Sequence, residues 1–70
     1  MAVSVYKIIE LGTSTDSWER AAANAVERAS GSLRDLRIAE VVKLDLQVED
    51  GKVTLYRAKV ALSFKYEESD

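Results

Sequence analysis

The chain has 70 residues, ten basic and twelve acidic, with no cysteine and no histidine and a net charge of −2. That composition excludes disulfides, thiolate metal sites and C-x-x-C redox chemistry, and it removes the commonest general acid–base group and transition-metal ligand. It offers no basic stripe for nucleic acid, no apolar run near the roughly 18–20 residues of a membrane span, and no signal-peptide pattern in MAVSVYKIIEL, so the expectation is a soluble cytoplasmic domain.

Val3 to Leu11 is rich in β-branched and aromatic residues and predicts a first strand. Val5, Ile9 and Leu11 fall on one side of it, Tyr6 and Ile8 on the other, so it expects cover on both faces. Gly12 is expected to break this strand. Ser14 or Asp16 then caps a helix, and Asp16 with Glu19 fits a capping box. Trp18, Ala21, Ala22, Ala25, Val26 and Ala29 recur at the helical period and make one apolar, mostly alanine face that can lie very close to a sheet. Gly31 predicts a left-handed C-terminal cap.

The second strand is predicted from Ile38 to Glu49, with Val42, Leu44, Leu46 and Val48 on one face and Lys43, Asp45, Gln47 and Glu49 on the other. The third runs from Val53 to Tyr66 and puts Tyr56, Ala58, Val60, Leu62, Phe64 and Tyr66 on one face. Matching these faces by parity favours a three-residue Glu49-Asp50-Gly51 loop with Gly51 left-handed, which sets Leu44 opposite Tyr56 and Val42 opposite Ala58. Glu67 to Asp70 reads as a frayed acidic tail.

The order strand–helix–strand–strand predicts one α+β domain over 1–70, a three-stranded antiparallel sheet wrapping one helix. A core of this size supplies only about 3–5 kcal/mol, so small domains lean on disulfides, metals or partner subunits. Here oligomerisation is left, with oxygen-ligated hard cations second. Val53, Leu55, Ala61, Val5 and Ile9 on the face away from the helix predict subunit contacts.

Without cysteine or histidine the serines and threonines lack an activator, so the chain is not expected to be an enzyme. Asp45, Gln47, Glu49 and Asp50 can offer oxygen to Ca²⁺ or Mg²⁺, but a solvated strand face beside a polar turn explains them more simply. Glu40 falls beside Ile38 and Val42 on the apolar side. Either Val41-Val42 marks a bulge, or Glu40 meets a base such as Arg37, Arg57 or Lys59 at an interface; an ion pair is favoured. Trp18 reads as packing rather than a cofactor-stacking ring.

Tyr6-Lys7, Gly12-Thr13-Ser14, the alanine-rich run ending Glu27-Arg28-Ala29, Ala39-Glu40-Val41 and Val60-Ala61-Leu62-Ser63-Phe64 stand in order along the chain. In that order and spacing the sequence resembles the dodecins from about Val5 to Phe64. The resemblance implies a β-α-β-β subunit and a hollow homododecamer of tetrahedral symmetry that stores a small ligand. In flavin-binding members, paired flavin rings stack between tryptophans at the two-fold axes, and a glutamine on the last strand bonds the ring edge. Here Ile38 stands near the tryptophan's place and Arg57 replaces the glutamine, in Tyr56-Arg57-Ala58-Lys59. Ile38 offers no π-stacking, and Arg57 is a pure donor. Losing stacking worth about 1–3 kcal/mol per ring weakens a flavin site by one to several powers of ten.

Thr13-Ser14 with Ser17-Trp18-Glu19, Arg37-Ile38-Ala39 and Tyr56-Arg57-Ala58-Lys59 instead resemble a flavin-less branch of the family to which a calcium-associated role is attached, though its ligands do not map onto this sequence. The expectation is a homododecameric store or buffer for a small ligand or ion. Its altered two-fold pocket is formed by Arg37, Ile38, Glu40, Arg57 and Lys59. The alternative is flavin storage in a modified pocket, with Arg57 meeting the phosphate of flavin mononucleotide and Ile38 against the ring.

Overall fold

In the computed structural model the chain runs β1 (Ala2–Ser14), α1 (Trp18–Ser30), β2 (Leu36–Glu49) and β3 (Lys52–Glu68). The structure describes the backbone of residues 2–31 and 36–68, and the side chains of residues 7–31 and 36–64. The strands form one antiparallel sheet in the order β1-β3-β2. The helical crossover returns β2 in the direction of β1, and the hairpin then lays β3 between them, so both neighbouring pairs are antiparallel. The expected α+β, β-α-β-β architecture is present.

From Ile8 to Ser14 of β1 and from Tyr56 to Phe64 of β3, even-numbered residues share the face under the helix, pairing Ile8 with Leu62 and Gly12 with Ala58. Ala58, Val60 and Leu62 are fully buried against Ala21, Ala25 and Ala29 of α1, and Ile8, Ala22, Val26 and Leu36 pack around them. The alanine face lets the helix sit almost on the strand. A Cβ added at Gly12 would overlap the carbonyl oxygen of Ala21 and lie 2.9 Å from the Cβ of Ala25. Contrary to the expectation from the sequence, Gly12 therefore does not break β1. It stays in the ladder at the point where the helix crosses.

Both helix ends differ from expectation. The N-cap is Ser17, whose Oγ accepts from the Arg20 backbone N–H at 3.0 Å. Ser14 is not available to cap, because its buried hydroxyl accepts from the Asp16 N–H at 2.9 Å and shapes the turn before the helix. The Asp16–Glu19 capping box is consequently not formed, although Glu19 still lies in the first turn, where a carboxylate favours the helix dipole. At the other end Gly31 has φ −68° and ψ −23°, a right-handed conformation, and the left-handed cap is not formed.

The hairpin differs too. Glu49 pairs with Lys52 across a two-residue loop in which Asp50 and Gly51 have φ of 51° and 75°, the double left-handed turn that Asp-Gly favours. A bulge at Thr54 then restores even-to-even pairing, so the expected parity holds while the register is displaced by two. Leu46 opposes Tyr56 and Leu44 opposes Ala58. A second bulge leaves Val42 without a partner between Val41↔Val60 and Lys43↔Lys59. It reverses the parity of the strand before it.

β3 continues through Glu68, which pairs with Ala2, two residues into the segment expected to fray. Ser69 and Asp70 lie outside the described residues. Val5, Tyr6 and Tyr66 belong to the described backbone, but their expected faces lie outside the described side chains. Among the described residues no helix is long and apolar enough to cross a membrane.

Candidate functional site

The Val42 bulge decides which way Glu40 points. Before it, Ala39 and Val41 share the helix-side face with Leu62 and Val60, while Ile38 opposes Ser63 and Glu40 opposes Ala61 on the outer face. Glu40 thus leaves the Leu44–Leu46 row that simple alternation gave it and stands exposed. Among the described residues of one chain it makes no ion pair. Of the two explanations offered for it, the bulge is the one that the strand pairing contains.

Arg57 and Lys59 lie on the same outer face of β3, two residues apart. Arg57 is taken by a partner that sequence reasoning missed. Its Nε and Nη2 donate to Asp45 Oδ1 and Oδ2 at 2.6 and 2.7 Å, a bidentate fork across the β2–β3 ladder. The hydrogen bonds from Arg57, reinforced by Lys43 and Lys59, hold the Asp45 carboxyl below its ordinary value against the opposing effect of burial. The only sequence clue to this pair is the opposite charge of Asp45 and Arg57, which meet once the register is known. With a two-residue Asp50-Gly51 turn and one bulge on β3, opposite charges fall opposite one another; the three-residue loop put Asp45 against Leu55 instead.

Asp45 is held from the helix side as well. The Trp18 indole N–H donates to its backbone carbonyl at 3.1 Å, and the Trp18 ring meets the Tyr56 ring edge-on at 5.4 Å. Trp18 is thus a packing residue, as expected. It joins the helix N-terminus to the stretch of β2 that carries Asp45.

Arg37 is set apart from this group. It occupies a further bulge between Leu36 and Ile38 and, with Ile38, Val26, Leu36, Ala39 and Leu62, lines a cleft of ≈ 110 Å³ beside the helix. Ile38 is 64% exposed. Of the five residues of the expected pocket, Ile38, Glu40, Arg57 and Lys59 lie on the outer face of the sheet in one chain, Ile38 two residues from Glu40, and Arg37 occupies the bulge before them.

A calcium ion needs six to eight oxygens. Among the described residues no three carboxylates converge, and Asp45 already accepts from Arg57 at both oxygens. The described residues of one chain therefore gather no calcium ligand set. At the positions named for the flavin alternative, Ile38 is exposed and aliphatic and Arg57 is engaged by Asp45.

The profile described as Dodecin matches residues 5–67. Over 65 residues the chain is 52% identical to the calcium dodecin of Mycobacterium tuberculosis, covering 90% of each protein. Its fold is similar to the crystal structure of that organism's calcium dodecin, described as a calcium-chelating immunodominant antigen with a novel calcium-binding site. The match has a TM-score of 0.75 and 45% identity, over 100% of this chain and 97% of that one. A dodecin from Streptomyces coelicolor matches with a TM-score of 0.80 and 40% identity, over 97% and 94%. With the profile spanning nearly the whole sequence and the strand order agreeing, the chain belongs to the dodecin family.

Proposed function

We propose that the chain assembles into a hollow homododecamer that stores or buffers a small ligand or ion in the cytoplasm without catalysing a reaction. The observation that carries this proposal is the apolar surface that one chain leaves open. Ile38, Val41, Val42, Leu44, Leu46 and Val48 of β2 are 39–64% exposed, with Val53 across the hairpin at 48%. The helix has 13 residues and the strands 13 to 17, so the sheet outruns its cover.

The accessible surface is 5129 Å², against about 4,400 Å² for a compact monomer of this mass. The excess is close to the roughly 800 Å² that one partner contributes to a stable interface. The radius of gyration, 14.7 Å, exceeds the value of about 11 Å for a compact 70-residue chain in the same sense. Both edge strands, β1 and β2, also present unpaired backbone.

Calcium is the leading ion, on the strength of the relative that is 52% identical and carries calcium in its name. Because the described residues of one chain do not gather the ligands, its oxygens would come from more than one copy. Native mass spectrometry of purified protein tests the assembly, and twelve copies are expected. Equilibrium dialysis against calcium then tests the ion, and a flavin fluorescence titration tests the flavin alternative. A monomer or dimer at micromolar concentration would sink the shell; quenching of riboflavin at micromolar concentration would replace calcium with flavin.

A further inference from the structure

In an antiparallel ladder the backbone groups of successive residues point to opposite sides of the strand. On β2 the Gln47 carbonyl accepts the Thr54 hydroxyl of β3 at 3.2 Å, so Gln47 and Asp45, two residues apart, turn their backbone groups toward β3. Leu44 and Leu46 therefore turn theirs to the open side of β2. The Asp45↔Arg57 pairing in turn directs Arg57 toward β2, its neighbour Ala58 toward β1, and Gly12, opposite Ala58, back toward β3. Leu11 and Thr13, on either side of Gly12, thus face the open side of β1.

The helix closes one of these two edges. Asn24 Nδ2 donates to the Thr13 carbonyl at 3.0 Å, and Arg28 Nη2 donates to the Leu11 carbonyl at 2.6 Å. Four helical residues rise about 6 Å and two strand residues about 6.5 Å, so side chains one turn apart meet alternate carbonyls of the edge. Each donor is aimed by a second partner. Asn24 Oδ1 accepts from Arg20 Nε at 3.0 Å, which leaves its NH2 group for Thr13, and Arg28 Nε lies 3.6 Å from Glu10 Oε1. Nothing equivalent reaches the β2 edge, because α1 lies over β1 and β3 and barely touches β2. The Trp18 indole and the Thr54 hydroxyl do bond β2, but at Asp45 and Gln47, whose carbonyls face inward. Among the described residues no side chain bonds the backbone of Leu44 or Leu46, which are 46% and 39% exposed.

We propose that Asn24 and Arg28 shut the Leu11–Thr13 end of the β1 edge to strand addition, so that a second copy of the chain joins along the β2 edge at Leu44–Leu46. An added strand needs the carbonyls of Leu11 and Thr13 for its own N–H groups, and both are already taken. Open edges are templates for further strands, and a chain with two of them can add copies without end. With β1 shut, strand addition cannot run on from copy to copy, and growth stops at a closed assembly. The inference rests on the self-association argued above and names the edge that it uses.

Asn24→Ala combined with Arg28→Ala removes both donors from outside the core and puts a good helix former at each position. In light scattering coupled to gel filtration of the full-length protein, this double variant should exceed the wild-type mass by about twofold or more, rising with concentration. Arg28→Lys, which can still donate to Leu11, and Glu27→Ala, which leaves both donors in place, should keep the wild-type mass. If circular dichroism shows that the double variant has lost its helix, Asn24→Asp, of the same shape but without the amide donor, takes its place with the same expectation. Hydrogen exchange of the unaltered protein is the second readout. The Leu11 and Thr13 amides should exchange at least about tenfold faster than those of Leu44 and Leu46. A wild-type mass in the donor-less variant, or equal protection of the two edges, would overturn the proposal and leave the shell standing. A monomeric wild type would overturn the shell and the β2 contact together, while mass gained only by the donor-less variant would still uphold the closure of β1.

Discussion

Asp45 grips Arg57 with both carboxylate oxygens on the outer face while its backbone carbonyl accepts the Trp18 indole from the helix side. One residue of β2 therefore couples the helix N-terminus to the central strand. Arg57 holds the Asp45 carboxyl below its ordinary value of 3.8. A lowered folded-state value means the pair's stabilisation is complete above the unfolded value and is lost as the pH falls through the folded one. Arg57→Gln should thus lower the melting temperature at neutral pH, and its difference from wild type should shrink as the pH drops below 3.8. Thermal melts across that range check it; a gap that stays constant would show that Asp45 does not titrate with Arg57. The effect should be modest, because the two side chains are 32% and 41% exposed and solvent screens them.

Trp18→Phe separates the two things Trp18 does. A phenyl ring keeps an edge contact with Tyr56 but cannot donate to the Asp45 carbonyl. The expected cost is about 1 kcal/mol, the net value of one hydrogen bond. Chemical denaturation measures it. A loss several times larger would mean that ring volume, not the N–H, is what the site needs.

Gly12 and Gly31 should respond in opposite directions to alanine. At Gly12 the new Cβ meets helix backbone that has no room to move, so Gly12→Ala should cost about 3 kcal/mol or more. Gly31 is right-handed, and its added Cβ would come no nearer than 3.4 Å to the Arg28 carbonyl oxygen. Gly31→Ala should be neutral or stabilise by about 0.4–1 kcal/mol through the unfolded chain. Paired melts of the two variants decide this, and a tolerated Gly12→Ala would mean that the helix does not lie as close to β1 as described.

Leu44→Glu places a charge in the middle of the open apolar row, at a residue that opposes buried Ala58 but is itself 46% exposed in one chain. If a second copy covers this row, the variant should lose the high-mass assembly in light scattering coupled to gel filtration. An assembly of wild-type mass would show that this row is not the subunit contact.

The local signals were legible because they depend on neighbours in sequence. The alanine stripe from Ala21 to Ala29 fixes the helix face by its period, and the alternation along β3 fixes which of its side chains reach that face. The scarcity of core, the absent cysteine and histidine, and the family residues likewise need no coordinates. Register was another matter. Bulges at Val42 and Thr54 each change parity by one, and no residue type marks them, because a bulge is selected by how two strands fit across the whole ladder. Those two insertions place Glu40 on the outer face, bring Asp45 to Arg57 and set Lys43 against Lys59. Gly12 shows the same division: glycine reads locally as a stop, and only the helix packed over it shows that the strand continues and the missing Cβ is what the contact requires. Sequence therefore determined the elements and their apolar faces, whereas the register of the bulged β2–β3 ladder, a tertiary property, decided which charges meet.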